Sequence, residues 1–481
     1  MILKKITIHN YKSIEKLYFK ISQLNDETYT YGLIGVNEAG KSTILKAIAL
    51  KDGLKDEKGQ ILPLAIDFKD ENLPIRIEYC YFLNKEEIKE CREYLKTQSP
   101  DINSSKINLS EINLIISFNH TNPSQSESVI DIRKLSEENE EKLKIEEQLK
   151  QLVLQKSYKS IFWTAEDRYL ISQPINLDQF ATDPEDVSIP LKNCFLLAGI
   201  KENEIQTKIR SLANDSTKIE ELQNNLGEVV TKHIKRVWPK HPIEITFLIT
   251  GGLIHFHVKD SKVKGRAKTA NQRSDGFRQF ISFLLTVSAE NEKKQLSNSI
   301  LLLDEPETHL HPQAQEDLLQ ELIKITKNKN NNITFFATHS NYMIDKKDLS
   351  RNYKIVKPEK TDVTEREQFN KKISSYASVT YEVFDIASTD YHNELYGKMQ
   401  EISGIDNITE FDKKIQDLDK KCPIKKNYEH TNGKKFNCTL PTYIRHQVHH
   451  PDNTKNTHFT DDELRNSIEI LIDIIDKFKK E

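Results

Sequence analysis

The feature that most constrains the fold is a short segment bounded by glycines, GVNEAGKS, at residues 35–42. It follows an apolar run over residues 28–36 and precedes a helical pattern over residues 42–50, the context in which the spacing GxxxxGK[ST] forms a P-loop. Glycines let backbone N–H groups point at phosphate oxygens, and the helix N-terminus adds positive potential. The sequence therefore predicts a phosphate cradle, with an ordinary glycine turn as the alternative.

Side chains within this segment have predicted roles. Lys41 is expected to bridge the β- and γ-phosphates of a nucleoside triphosphate and to act in catalysis, and Ser42 is expected to be a ligand of Mg²⁺. The residues predicted to bind the nucleotide are Gly35, Asn37, Glu38, Ala39, Gly40, Lys41, Ser42 and Thr43.

Two adjacent acids, Asp304 and Glu305, follow the most apolar strand pattern of the chain, at residues 299–303. An aspartate that ends a buried strand beside a P-loop is placed to hold the Mg²⁺ shell. Glu305 is predicted to orient and deprotonate the attacking water as the catalytic base. The alternative is a surface turn with capping acids, which has no need of two acids directly behind an all-aliphatic strand.

Further polar residues accompany these motifs. Ser274 and Gly276 open an apolar helix in a turn that presents a hydroxyl and backbone N–H groups to an anion. His339 follows the strand pattern of residues 333–337 and is predicted to hydrogen-bond a γ-phosphate or the attacking water. A structural histidine is the alternative at that position.

In this order, the P-loop, the serine and glycine turn, the DE pair and the terminal histidine resemble an ABC-type ATPase head of the SMC kind. The segments DEPETHLHP and ATHS, and the opening segment ILKKITIHNYKSIEKLYF, are similar to sequences of the OLD-like branch found in bacterial anti-phage systems such as Septu, PARIS and Gabija. The resemblance covers roughly residues 1–90 and 245–360.

This resemblance implies ATP and Mg²⁺ as cofactors and places Lys12 and Ser13 near the nucleotide. It also implies that Ser274 and Gly276 complete the ATP site of a second subunit, in a head-to-tail homodimer or a higher oligomer. The chain departs from the transporter pattern, because Ser274-Asp275-Gly276 replaces serine-glycine-glycine. The glutamine of the Q-loop has no assigned position.

A second motif lies near the C-terminus, where residues 445–450 read RHQVHH. This Rx4H pattern resembles the metal-independent HEPN ribonucleases, in which an arginine and a histidine from each of two helices converge on a scissile RNA phosphate. The resemblance implies Arg445 and His450 as a ribonuclease site, with His449 as the reserve histidine. The alternative is a group of basic residues that favours the dipole of a helix ending at Pro451.

The overall charge does not indicate a class of binding partner, because 70 basic and 73 acidic side chains leave a net charge of -3. Nucleic-acid binding would need a local patch, and the basic segment at residues 259–273 is either that patch or a solvated loop. Five cysteines without a CxxC pair, and no apolar run of roughly 18 residues, predict a cytoplasmic protein with no membrane partner.

The patterns predict an α/β fold, an ABC-type ATPase head with a mixed sheet, a helical insertion and a mostly α C-terminal region. We expect the head in two lobes, residues 1–100 and 245–360. The insertion would span residues 101–244, and a helical effector or docking region would span residues 361–481.

Three functions remain open from the sequence. The first is an ATP-driven sensor or scaffold in anti-phage defence that controls a partner nuclease effector. The second is an ATPase that gates its own C-terminal ribonuclease, and the third is a DNA-repair clamp that binds DNA directly. The near-neutral charge and the lack of a long heptad pattern weigh against the clamp.

Overall fold

The structure is a computed structural model, and the chain divides into two compact units, Met1–Phe369 and Asn370–Glu481. It describes every residue except 57, 99–106, 133–139, 172–173, 213–214, 238–242, 261–267, 270–274, 288–296, 328–330, 346–347, 358–364, 368–374, 419–425 and 479–481.

The helices and strands of the first unit alternate along the chain. The α-helices are α1 (Lys41–Ala49), α2 (Lys85–Gln98), α3 (Glu140–Lys156), α4 (Leu177–Thr182), α5 (Pro184–Val187), α6 (Ile189–Leu197), α7 (Glu202–Arg210), α8 (Ser216–Val237), α9 (Asp275–Val287) and α10 (Pro312–Thr326). The strands are β1 (Ile2–Tyr11), β2 (Ile14–Lys20), β3 (Thr30–Ile34), β4 (Ile75–Phe82), β5 (Glu111–Asn119), β6 (Asn122–Asp131), β7 (Lys159–Trp163), β8 (Ile175–Asn176), β9 (Ile243–Thr250), β10 (Leu253–Asp260), β11 (Lys268–Thr269), β12 (Ser299–Asp304), β13 (Ile333–Thr338), β14 (Asn352–Val356) and β15 (Glu365–Glu367).

A six-stranded sheet in the order β15-β14-β3-β13-β12-β7 forms the centre of this unit. Its strands run parallel except for β15, which is antiparallel to β14. All six residues of β12 are buried, because a parallel strand is covered on both faces, and this explains the aliphatic run SILLL. The predicted α/β class with a mixed sheet is confirmed.

A separate antiparallel sheet has the order β2-β1-β4-β5-β6. Its first hairpin turns between Tyr11 and Ile14, which pair across the turn, so Lys12 and Ser13 lie at its tip. The N–H of Lys12 donates to the carbonyl of Asp67 at 2.7 Å, and this bond ties the hairpin to a short 3-10 turn, Ala65–Asp67.

Residues 101–244, expected to form an insertion that carries helices, also supply strands to both sheets. β5 and β6 extend the antiparallel sheet, and β7 pairs in parallel with β12. The alternating burial of β5 and the buried Trp163 of β7 give the physical reason, since both patterns suit strands packed on a core. The helices α3 to α8 occupy much of the remaining range.

A buried cation braces the same unit. The guanidinium of Arg351 is fully buried and donates to Asp345 at 2.8 Å and to Asp26 at 2.6 Å. It also donates to the hydroxyl of Thr28 and to the carbonyl of Thr30, so its charge is matched by acceptors. Removal of one partner of such a buried pair is strongly destabilising, because it leaves a buried charge without compensation.

The second unit is mostly helical, as predicted. Its elements are α11 (Tyr376–Phe384), α12 (Thr389–Ser403), α13 (Ile408–Leu418), the antiparallel hairpin of β16 (Lys426–Glu429) and β17 (Lys435–Cys438), α14 (Leu440–His449) and α15 (Asp461–Phe478). Leu395, Ile444, Ile468 and Leu471 are buried in a core of their own. Among the residues that the structure describes, no helix combines the length and apolar character needed to cross a membrane.

Candidate functional site

Four neighbouring parallel strands of the six-stranded sheet end at one edge and deliver different polar groups there. β3 leads into the P-loop, β12 into Glu305, β13 into His339 and β14 into Lys357. The register pairs Asp304 with Ala337 and Thr338 with Ile34, so the carboxyl ends of β12, β13 and β3 are level. Ligands of open α/β sheets bind at this edge.

The P-loop has a backbone that only its glycines permit. Gly40 has φ 100°, in the left-handed region that a glycine enters without steric cost. A Cβ on Gly35 would lie 2.3 Å from the carbonyl oxygen of Ile355, a distance that no side chain tolerates. The loop therefore lies close against β14, and α1 begins directly after Gly40.

Lys41 is the first residue of α1 and is buried beneath the loop. Among the described residues, its ammonium donates to the carbonyls of Gly35 and Val36 at 2.8 and 2.9 Å. The third N–H of the ammonium is therefore left to bind a ligand. Burial lowers the pKa of Lys41, whereas the nearby carboxylate of Glu305 raises it. An anionic phosphate would relieve that desolvation by pairing with the ammonium.

Ser42 and Asp304 form a pair of oxygen groups beside Lys41. The hydroxyl of Ser42 donates to Oδ1 of Asp304 at 2.8 Å. Burial raises the pKa of Asp304, and the neighbouring charge of Glu305 raises it further. A hydroxyl and a carboxylate are ligands that Mg²⁺ prefers, and a divalent cation would stabilise the ionised carboxylate, so this pair fits the predicted metal.

Glu305 and His339 meet across two neighbouring strands. Nδ1 of His339 lies 3.0 Å from Oε1 of Glu305, and the two side chains are 47% and 36% exposed. Glu305 has φ 49°, an unusual conformation for a residue with a Cβ, and its N–H donates to the carbonyl of Ala337 at 3.0 Å. An accessible carboxylate held by an imidazole can accept a proton from water.

A cavity of about 690 Å³ extends from the P-loop and Glu305, whereas His339 does not line it. Its lining includes most of the residues predicted to bind nucleotide or to catalyse hydrolysis, namely Lys12, Ser13, Asn37, Glu38, Gly40, Lys41, Ser42, Thr43 and Glu305. Ala39 is buried, and neither it nor Gly35 lines the cavity. The volume is in the range of small-molecule and cofactor sites.

Four lining residues were missed by the sequence analysis: Ile66, Asp67, Phe68 and Lys357. Asp67 pairs with Lys12 at 3.3 Å and so links the short turn to the tip of the first hairpin. Ile66 is 86% exposed, the highest value among the exposed large apolar side chains. These residues belong to no spacing motif, and the sequence signals this part of the cavity lining only through an apolar run around Pro63.

The predicted signature residues are only partly described. Gly276 lies in the first turn of α9, which begins at Asp275, whereas Ser274 falls outside the described residues.

The C-terminal motif lies on α14 and at its end. The guanidinium carbon of Arg445 is 4.8 Å from the ring centroid of Tyr396, and in the described part of the chain it has no carboxylate partner. His449 is the last residue of the helix, and His450 is its C-cap, with an N–H that donates to the carbonyl of His446 at 3.0 Å. The three predicted residues therefore lie at one helix end.

His446, which the sequence analysis did not select, lies between these residues. Its ring stacks on Tyr428 at 4.9 Å and on His450 at 6.2 Å. Burial, with the neighbouring imidazoles of His430 and His450, lowers the pKa of His446 to about 4. This ring is therefore neutral at neutral pH and serves as a stacking partner of His450.

A glycine loop between a buried strand and a helix, a lysine on that helix, and an aspartate at the end of another parallel strand of the same sheet define a P-loop nucleoside triphosphatase. Residues 1–344 match the family described as AAA ATPase domain. Because this match covers most of the 481 residues, the chain belongs to that family.

Individual relatives are more distant. An uncharacterized protein, MJECL43 of Methanocaldococcus jannaschii, is 26% identical over 126 residues, which is 25% of this chain and 32% of that protein, so the match spans about a third of that curated relative. An SMC head bound to the C-winged helix domain of ScpA has a TM-score of 0.42 at 12% identity, over 77% of this chain and 98% of that one. The SMC head domain from Thermotoga maritima has a TM-score of 0.36 at 12% identity, over 77% and 100%. Both TM-scores are low, so the fold is assigned from its own strand order.

Proposed function

We propose that the chain hydrolyses Mg·ATP at the sheet edge, with Glu305 as the base that activates water and His339 as the residue that orients it or contacts the γ-phosphate. The observation that carries the proposal is the 3.0 Å approach of His339 to Glu305. His339 follows β13, which is adjacent to the P-loop strand β3, and Glu305 follows β12, the next strand beyond β13. Lys41 would hold the β- and γ-phosphates. Ser42 and Asp304 would hold Mg²⁺, which supplies charge neutralisation on the phosphates.

The nucleoside would then extend along the rest of the cavity. Lys12 and Ser13 line it at the hairpin tip, and the exposed Ile66 gives an apolar surface for a base. In this arrangement the phosphate end of the cavity is polar and charged, whereas the wall at residues 66–68 carries the apolar side chains.

We further propose that two copies enclose the ATP, with Ser274 and Gly276 of each copy reaching the nucleotide of the other. The exposure of Glu305 and His339 supports this proposal, because hydrolysis benefits from a site that excludes bulk water. The head-to-tail arrangement would be a homodimer with two equivalent sites, and a higher oligomer would repeat the same contact.

Mixing two inactive variants tests the composite site. Lys41→Ala removes the phosphate-binding ammonium, and Ser274→Arg blocks the contribution to the partner. In an equal mixture, half of the dimers pair one copy of each and hold one intact site of two, so we expect about a quarter of the wild-type rate. A mixture as inactive as its components, or full activity from a monomer shown by sedimentation, would refute the composite site.

For the biological role, we propose an ATP-driven sensor or scaffold in anti-phage defence that holds a nuclease effector protein in check. This role is supported by the segments DEPETHLHP and ATHS, which resemble sequences of the OLD-like branch of Septu and PARIS. The test is phage plating on cells that express the chain with its neighbouring genes. Glu305→Gln should change protection while leaving protein levels equal, and unchanged protection would contradict the role.

A ribonuclease in the second unit is the alternative, and one observation favours it. Arg445 lies over the ring of Tyr396 without a carboxylate partner in the described residues, so its charge is available to a phosphate. His450 or His449 would exchange protons with a ribose 2′-OH. RNA cleavage that persists in EDTA, leaves 2′,3′-cyclic ends and disappears in His450→Ala or His449→Ala would establish this activity. Intact RNA in every variant would leave the second unit as a docking region.

A further inference from the structure

A carboxylic acid that the proposed chemistry does not use lies beneath the catalytic pair. Glu307 follows Glu305 by two residues, and its side chain is almost completely buried, with 2% of the residue exposed. Its Oε1 accepts a short hydrogen bond from the hydroxyl of Thr338, the last residue of β13. Within the described residues, its Oε2 has no partner. A buried polar atom without a hydrogen-bond partner costs stability, so its presence in the fold calls for an explanation.

The donor of this bond, the hydroxyl of Thr338, begins a chain of contacts around His339. Thr338 Oγ1 accepts from the N–H of Ser340 at 2.9 Å, so it holds the residues on both sides of the histidine. The hydroxyl of Ser340 donates to the side-chain carbonyl of Gln315 on α10 at 2.5 Å. The backbone at His339 is therefore held at both ends by buried or half-buried side chains.

Glu305, the other member of the catalytic pair, is held by the same two segments, the turn after β12 and the end of β13. The N–H of Glu305 donates to the carbonyl of Ala337, which directly precedes Thr338. The Glu307 carbonyl accepts from the N–H of Leu310, which closes the turn after β12. The bond between Glu307 and Thr338 thus joins the turn that carries Glu305 to the strand end that carries His339.

We propose that Glu307 is a positioning residue for ATP hydrolysis, which through the hydroxyl of Thr338 fixes the ring of His339 against the carboxylate of Glu305. This inference rests on the proposed roles of Glu305 and His339. Burial raises the pKa of Glu307 to about 7, so much of this side chain is neutral at neutral pH. A neutral carboxyl still accepts at Oε1, and therefore a glutamine can replace it.

The first test removes one hydroxyl. Thr338→Val keeps the shape of the side chain and breaks the link, and we expect kcat to fall by about tenfold or more with an unchanged Kd for ATP, because misplacement of a catalytic group affects turnover. Thr334→Val is the matched control. Thr334 lies on the same face of β13, and its buried hydroxyl has no partner among the described residues, so we expect kcat within about twofold of wild type.

A double variant separates positioning from general damage. If Thr338 acts through His339, then Thr338→Val on a His339→Ala background costs nothing further, because the ring that it positions is gone. A second loss of the same size as in the single variant would overturn the inference, as would wild-type kcat in Thr338→Val.

The acid itself gives an independent test if Thr338→Val does not fold. Glu307→Gln should keep kcat, and Glu307→Leu should lose it to the same extent as Thr338→Val. Equal kcat in the two variants would refute the role of the acceptor. Glu305→Gln serves as the reference. If this variant hydrolyses ATP at the wild-type rate, the assignment of Glu305 as the base is wrong. If Glu305→Gln hydrolyses ATP slowly while Thr338→Val keeps the wild-type kcat, only the positioning role of Glu307 is rejected.

Discussion

The burial of Glu307 makes a quantitative prediction about stability and pH. Burial raises its pKa in the folded chain from an ordinary 4.5 to about 7, and the charges of Glu305 and Asp304 add to this rise, whereas the bond from Thr338 opposes it. Between these two values the unfolded chain has released the proton and the folded chain still binds it. The contribution of this group to stability is therefore complete below pH 4.5 and is lost as pH rises through 7.

The size of the effect follows from the same two values. Each tenfold change in proton affinity corresponds to about 1.4 kcal/mol, so the rise from 4.5 to about 7 costs about 3 kcal/mol of folding free energy at pH 8. Glu307→Gln keeps the acceptor for Thr338 and removes the titration. We expect this variant to gain about 3 kcal/mol relative to wild type between pH 4.5 and pH 8.

Urea unfolding at a series of pH values measures this difference. Trp163 is buried in the first unit, so its fluorescence follows the unfolding of the unit that contains Glu307. Glu321→Gln on the adjacent α10 is the control, because its carboxylate is 37% exposed and pairs at the surface with Lys324. A difference between Glu307→Gln and wild type that stays constant with pH would show that Glu307 is not held neutral, and would refute the reasoning.

Three further outcomes are expected. Lys41→Ala should lower ATP affinity by about two orders of magnitude or more, since it removes the charge that meets the β- and γ-phosphates, and equilibrium titration measures it. Glu305→Gln should bind ATP normally but hydrolyse it about a hundredfold or more slowly, as measured by phosphate release. Arg351→Met should cost about 3 kcal/mol in urea unfolding, because it leaves the carboxylates of Asp345 and Asp26 without their buried partner, and a loss below about 1 kcal/mol would contradict that.

Much of the sheet edge follows from local sequence patterns. The glycine spacing before α1 and the acids after β12 each depend on a few adjacent residues, so the sequence predicts them without knowledge of the fold. The structure places Lys41, Ser42, Asp304 and Glu305 together, but their roles stay predictions until they are tested.

Other features depend on contacts that no local pattern reveals. Ile66 reaches the cavity because a backbone bond ties the turn that carries it to the tip of the first hairpin, and this bond joins Lys12 to Asp67. Glu307 reads as one more acid in a polar turn until Thr338 is placed beside it. The pairing of β7 with β12 joins segments far apart in the chain, so no local pattern reveals it.

The bond between Ser42 and Asp304 joins residues 262 positions apart, and the strands that carry the rest of the edge come later still. During synthesis, the P-loop is therefore made long before its partners, and it can hold a nucleotide at the completed edge only after β12 and β13 have left the ribosome. Contacts at such separation form slowly because their loops must close first. ATP would then stabilise finished first units selectively, by mass action, and would leave incomplete chains open to proteolysis.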